Sequence, residues 1–63
     1  MNYRIIDTTD NQHRGQIITI NPGEKFFVTD DGDIINFYKF RSMGGDLYKT
    51  ISFNYVVTLE LVA

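Results

Sequence analysis

Between Leu47 and Leu61 the chain alternates with a period of two. The odd positions read Leu47, Lys49, Ile51, Phe53, Tyr55, Val57, Leu59 and Leu61; the even ones read Tyr48, Thr50, Ser52, Asn54, Val56, Thr58 and Glu60. Successive side chains of a β-strand point to opposite faces, so the pattern describes extended chain with one apolar face and does not suit a helix. Lys49 is the charged exception on the apolar side. One strand of this length would exceed the usual span of roughly 3–10 residues. A bend, or a turn near Ser52-Phe53-Asn54-Tyr55, is therefore expected, with Asn54 the favoured corner because Asn tolerates turn conformations.

The rest of the chain is punctuated in the same style. Turn residues gather at Asn11 to Gly15, Asn21-Pro22-Gly23-Glu24, Asp30-Asp31-Gly32-Asp33 and Ser42 to Asp46, with short runs of Ile, Val, Phe, Tyr and Thr between them. This predicts strands over Tyr3 to Asp7, Gln16 to Ile20, Lys25 to Thr29 and Ile34 to Arg41, followed by the stretch that starts at Leu47. Pro22-Gly23 suits a type II turn, and Gly32 is expected in the left-handed region of a tight hairpin. In the strand from Ile34, apolar residues occupy both faces: Ile34, Tyr38 and Phe40 on one, Ile35 and Phe37 on the other. Such a strand is central or meets a partner on its second face.

With 63 residues there is room for one domain (1–63) and no deep catalytic cleft. The absence of Cys excludes disulfides and thiolate metal sites, and a single His argues against an all-protein zinc site. Five Phe and four Tyr must supply the core instead. A hydrophobic content of 43% with a net charge of -2 argues against disorder. No secretory signal pattern or membrane-length apolar run is present, which makes a cytoplasmic location the expectation. A chain that opens at Met1 without a tag is expected to be a freestanding accessory protein, with a bacterium or phage as the natural setting.

The expected fold is all-β: a small five- or six-stranded antiparallel barrel or rolled sheet. An SH3-like barrel suits the strand count and the long first connection, Thr8 to Gly15. The expected core is Ile5, Ile18, Ile20, Phe27, Ile35, Phe37, Ile51, Phe53, Val57, Leu59 and Leu61. A slip of one residue in any strand would exchange its two faces.

Four segments are candidates for function. Tyr38, Lys39, Phe40 and Arg41 interleave rings with cations, as a single-stranded nucleic-acid platform does, with Tyr48 or Tyr55 as neighbours. Alternation nevertheless places Tyr38 and Phe40 opposite Lys39 and Arg41, and the net negative charge disfavours a polyanion. The plainer reading is a core strand with a solvated basic edge. Asp30, Asp31 and Asp33, with Glu24 nearby, could take a hard cation, but they lack the spacing and closing Glu of a calcium loop. No metal or cofactor is expected there; an acidic loop that meets a basic partner is the better reading. His13 could serve as a general base oriented by Asp10, yet no activated nucleophile accompanies it, so no enzymatic activity is expected. Tyr55 to Val62 could be an open sheet edge that pairs with another chain, or a strand that closes the barrel.

These observations point to a non-enzymatic interaction module. It would present an acidic, aromatic surface to a protein partner or to a second copy of itself. The alternative is a small barrel that binds single-stranded nucleic acid through Tyr38, Lys39, Phe40 and Arg41.

Overall fold

A computed structural model describes all residues, 1–63. It contains seven strands and no helix: β1 (Asn2–Thr8), β2 (Ile17–Thr19), β3 (Phe26–Val28), β4 (Ile34–Asn36), β5 (Lys39–Gly44), β6 (Leu47–Ser52) and β7 (Tyr55–Leu61). Five strands form one antiparallel sheet in the order β2-β1-β7-β6-β5, and β3 pairs with β4 in a separate ribbon. The all-β expectation stands, with more strands than anticipated. No helix is long and apolar enough to cross a membrane.

One expected strand is divided, and the long C-terminal stretch turns at the expected corner. The run from Ile34 to Arg41 breaks at Phe37 and Tyr38, so β4 belongs to the ribbon and β5 to the edge of the large sheet. The Phe37 amide still donates to the Lys25 carbonyl, whereas the Tyr38 amide donates to Ile51 of β6. One peptide thus hands the chain from one sheet to the other. The run from Leu47 to Leu61 turns at Phe53-Asn54, with Ser52 paired to Tyr55 and Asn54 at φ 63°. Asn reaches this left-handed conformation more readily than most residues, which is why the corner falls there.

The tight turn reverses which half of the alternation is buried. Across it Tyr48 faces Leu59 and Thr50 faces Val57, so even positions of β6 share the inner face with odd positions of β7. Lys49 is therefore no exception in the core: it lies on the outer face, opposite Thr58. Ile51 lies on that outer face and is only half-buried, and Phe53 at the turn is 88% exposed; both were expected inside. Their inner places belong to Thr50 and, in part, Tyr48. A bulge at Ile6 makes a similar exchange in β1, where Tyr3 and Ile5 point inward and then Thr8 does.

The remaining core follows the expected faces. Ile5, Ile18, Ile20, Phe27, Phe37, Val57 and Leu59 are buried, with Tyr3 added, and Ile35 and Leu61 pack against them partly exposed. β7 is not an edge. It lies between β1 and β6, paired on both sides, which removes Tyr55–Leu61 as a site for strand addition.

The sheet curls strongly. β1 and β5 are three strand spacings apart along it, about 14 Å if it were flat. Yet the rings of Tyr3 and Phe40 meet edge-on at 5.7 Å, and Tyr3 meets Tyr48 at 5.5 Å. Phe40 stacks on Tyr48 at 5.3 Å, then leads through Phe37 to Phe27 on the ribbon. A continuous series of rings fills the hollow of the sheet, and the ribbon lies over its open side.

Leu59 is completely buried at the centre of this face, whereas Phe53 is the most exposed large apolar residue. Leu59→Ala should lower unfolding free energy by about 2–5 kcal/mol, enough to unfold much of so small a domain. Phe53→Ser should change it by no more than about 0.5 kcal/mol. Urea denaturation followed by tyrosine fluorescence checks both.

Candidate functional site

The β3–β4 ribbon has an apolar residue on each face of almost every position. Phe27 is buried, while Phe26 and Val28 on either side of it are 37% and 48% exposed. Val28 pairs directly with Ile34, which is 62% exposed. Next to β3 runs β2, whose Ile17 is also exposed. No backbone hydrogen bond joins β2 to β3, so both keep an unpaired edge. Between them lies an open groove of about 330 Å³, lined by Ile17, Ile18, Phe26, Phe27, Val28 and Glu24 among others. Ile17, Phe26 and Val28 line it, and Ile34 on β4, paired with Val28, continues the exposed apolar face beyond it.

Carboxylates stand at both ends. Glu24 lines the groove at the β2–β3 end. At the other end Val28 and Ile34 lead directly into the Asp30-Asp31-Gly32-Asp33 turn. That turn is built on the buried Thr29. Its amide donates to the Asp33 carbonyl at 2.9 Å, the Gly32 amide donates back to its carbonyl at 3.0 Å, and its hydroxyl donates to Asp31 Oδ1. Gly32 sits at φ 88°, the left-handed geometry expected for it. The side chains of Asp31 and Asp33 are each 60% exposed. No Lys or Arg lines the groove.

The second predicted cluster is arranged differently. Phe40 stacks on Tyr48 at the margin of the aromatic core and stays 36% exposed. Arg41 pairs directly across from Lys49, which places Lys39, Arg41 and Lys49 together on the outer face. None of the three has a carboxylate partner; the Lys and Arg ion pairs are Arg4–Glu60 and Arg14–Asp7. Tyr38 is 65% exposed at the corner before β5. The cations and the strand's own ring thus occupy opposite faces, as alternation dictates. No hydrogen bond, ion pair or ring contact joins Tyr38, Lys39, Phe40 or Arg41 to Asp30, Asp31 or Asp33.

His13 and Asp10 do not meet. Asp10 Oδ1 accepts from the Gln12 amide at 3.1 Å, the Thr8 hydroxyl at 3.1 Å and the Tyr55 hydroxyl at 3.2 Å, and so organises its own loop. The imidazole of His13 turns the other way, toward Asp31 and Asp33. Reading the sequence treated these segments separately and missed that the first connection docks on the acidic turn. The exposed face was partly legible: apolar pairs and triplets at Ile17-Ile18, Phe26-Phe27-Val28 and Ile34-Ile35 leave one member outside whichever face is buried.

The hydrogen bonds hold two carboxyls below their ordinary range. For Asp10 the main cause is the Gln12 amide, with the Thr8 and Tyr55 hydroxyls adding to it. For Asp31 the main cause is the Thr29 hydroxyl, with a smaller contribution from nearby His13. Tyr55 shifts the opposite way, raised by burial and then by the charge of Asp10. A carboxyl with a lowered folded pKa contributes stability above its unfolded value, about 3.9, and loses it as the pH falls through the folded one. Tyr55 contributes below about 10 and loses its contribution as the pH rises through its raised value. Urea midpoints should therefore fall on acidification below about pH 4, and Asp10→Asn should flatten that acid limb. An unchanged limb would contradict the assignment.

The chain matches no protein-family model, and comparison with curated proteins and with solved structures likewise finds no match.

Proposed function

We propose that the protein is a non-enzymatic protein-binding module and that its partner lies along the β2–β3 groove. The observation that carries this reading is the apolar face of Ile17, Phe26, Val28 and Ile34, bounded at both ends by carboxylates and flanked by unpaired strand edges. Clustered exposed apolar residues with a polar rim are a common mark of an interaction surface. Free edges offer main-chain hydrogen bonds to an added strand, and alternate side chains then supply specificity. The acidic ends select the partner's charge: an extended segment with apolar side chains at alternate positions and Lys or Arg at its ends. A second copy of the chain brings the same carboxylates to the same surface, so copy-to-copy pairing of this face is opposed.

Binding of single-stranded nucleic acid is the weaker reading. The cations Lys39, Arg41 and Lys49 are free, but Phe40 is turned away from them and already stacked.

Selection from a displayed random-peptide library tests the proposal. Enriched peptides should alternate apolar residues, end in Lys or Arg, and bind more weakly as salt is raised. Ile34→Asp and Val28→Asp should each weaken them at least about tenfold, the scale of removing one buried apolar anchor. Enrichment of acidic peptides, no enrichment, or indifference to both substitutions would overturn it. Sedimentation of the free protein should show a monomer; a dimer lost in Ile34→Asp would assign the face to self-association instead.

A further inference from the structure

Where the β2–β3 connection passes the edge strand β5, a second cavity of about 210 Å³ opens. Its apolar walls are Tyr3, Ile20, Pro22 and Phe40, and Glu24 and Lys25 also line it. Tyr3 is 5% exposed, held edge-on against Phe40 and Tyr48, and its hydroxyl makes no hydrogen bond within the protein. No side-chain polar atom sealed from solvent lacks a partner. The Tyr3 hydroxyl therefore reaches open space, and this is the cavity that Tyr3 lines. An almost wholly buried side chain thus directs its one polar atom, unused by the fold, into an apolar hollow.

We propose that this cavity binds a small uncharged aromatic compound of one ring that carries an acceptor oxygen. Size sets the first limit. An apolar cavity of about 150 Å³ takes up benzene, so 210 Å³ admits one ring with a short substituent and no more. The walls set the second. Phe40 stacks on Tyr48 with one face and keeps 36% of its surface free, which leaves it available for a further ring contact.

The polar groups decide the rest. The Tyr3 hydroxyl is the unspent donor: burial raises its pKa, so it stays protonated at neutral pH and offers its proton to an oxygen. Glu24 and Lys25 bring opposite charges, and Glu24 Oε1 already accepts from the Asn21 amide at 3.3 Å. The cavity thus offers no net charge to offset an ion's loss of water. A few fixed polar groups among apolar walls are the usual composition of a small-molecule site. The site is separate from the groove, which Tyr3, Ile20 and Phe40 do not line.

Amide correlation spectra of the 63-residue chain during titration with acetophenone test the proposal, with benzoate as the charged counterpart. Saturable shifts should gather at Tyr3, Ile20, Gly23 and Phe40 and leave Val28 and Ile34 in place. The dissociation constant should lie in the millimolar range, as expected for a ligand of about nine non-hydrogen atoms. Tyr3→Phe keeps the ring and removes the donor, and should weaken acetophenone binding at least about fivefold, the scale of one hydrogen bond. Benzoate should bind more weakly than acetophenone, and Ile34→Asp beside the groove should leave acetophenone binding unchanged. If Tyr3→Phe fails to fold, the position of the shifts and the order of the two ligands still decide. Absence of saturable shifts, shifts confined to the groove, unchanged affinity in Tyr3→Phe, or tighter binding of benzoate would overturn the site.

Discussion

The large sheet has one apolar face to bury and no helix with which to bury it. The chain meets this constraint in two ways. The sheet curls until side chains from β1 and β5 touch, and a ribbon three residues long on each side is laid over the hollow. The aromatic series from Tyr3 and Tyr48 through Phe40 and Phe37 to Phe27 makes both possible. Edge-to-face and stacked rings span gaps that aliphatic side chains would leave, and a domain this small cannot tolerate many gaps.

The same constraint explains the exposed surface. A ribbon thin enough to act as a cover has a second face with nothing above it. Were that face polar, as in most one-sided sheets, no function would be implied. Instead Phe26, Val28 and Ile34 occupy it. They stand outside the core cluster, which Phe27 and Ile35 reach from the opposite side. Their presence, with acids at both ends of the groove, is what the proposed contact surface rests on. The unpaired cations Lys39, Arg41 and Lys49 lie on the outer face of β5 and β6, whereas Lys25, also without a carboxylate partner, immediately precedes Phe26.

Much of the fold could be read from local pattern. Alternation located the extended segments, Asn54 marked the corner, and Ile18, Ile20, Phe27 and Phe37 lie on the faces assigned to them. The misreadings share one physical origin. Alternation gives relative orientation within a strand but loses it across a tight turn or a bulge. The turn at Phe53-Asn54 moved Ile51 outside and Thr50 inside, and the bulge at Ile6 brought Thr8 inward. The break at Phe37 and Tyr38 carries no Gly or Pro, so nothing local announced it. The docking of His13 on Asp31 and Asp33 is a long-range contact, invisible to spacing.

The account depends most on the curl that brings opposite ends of one sheet into contact. Proton nuclear Overhauser spectroscopy measures it directly, through the rings of Tyr3 and Phe40. The structure, with these ring centres 5.7 Å apart, requires strong cross-peaks between them. Their absence, with the β1–β7–β6–β5 pairing intact, would mean an open sheet and would contradict both the shared core and the covering ribbon.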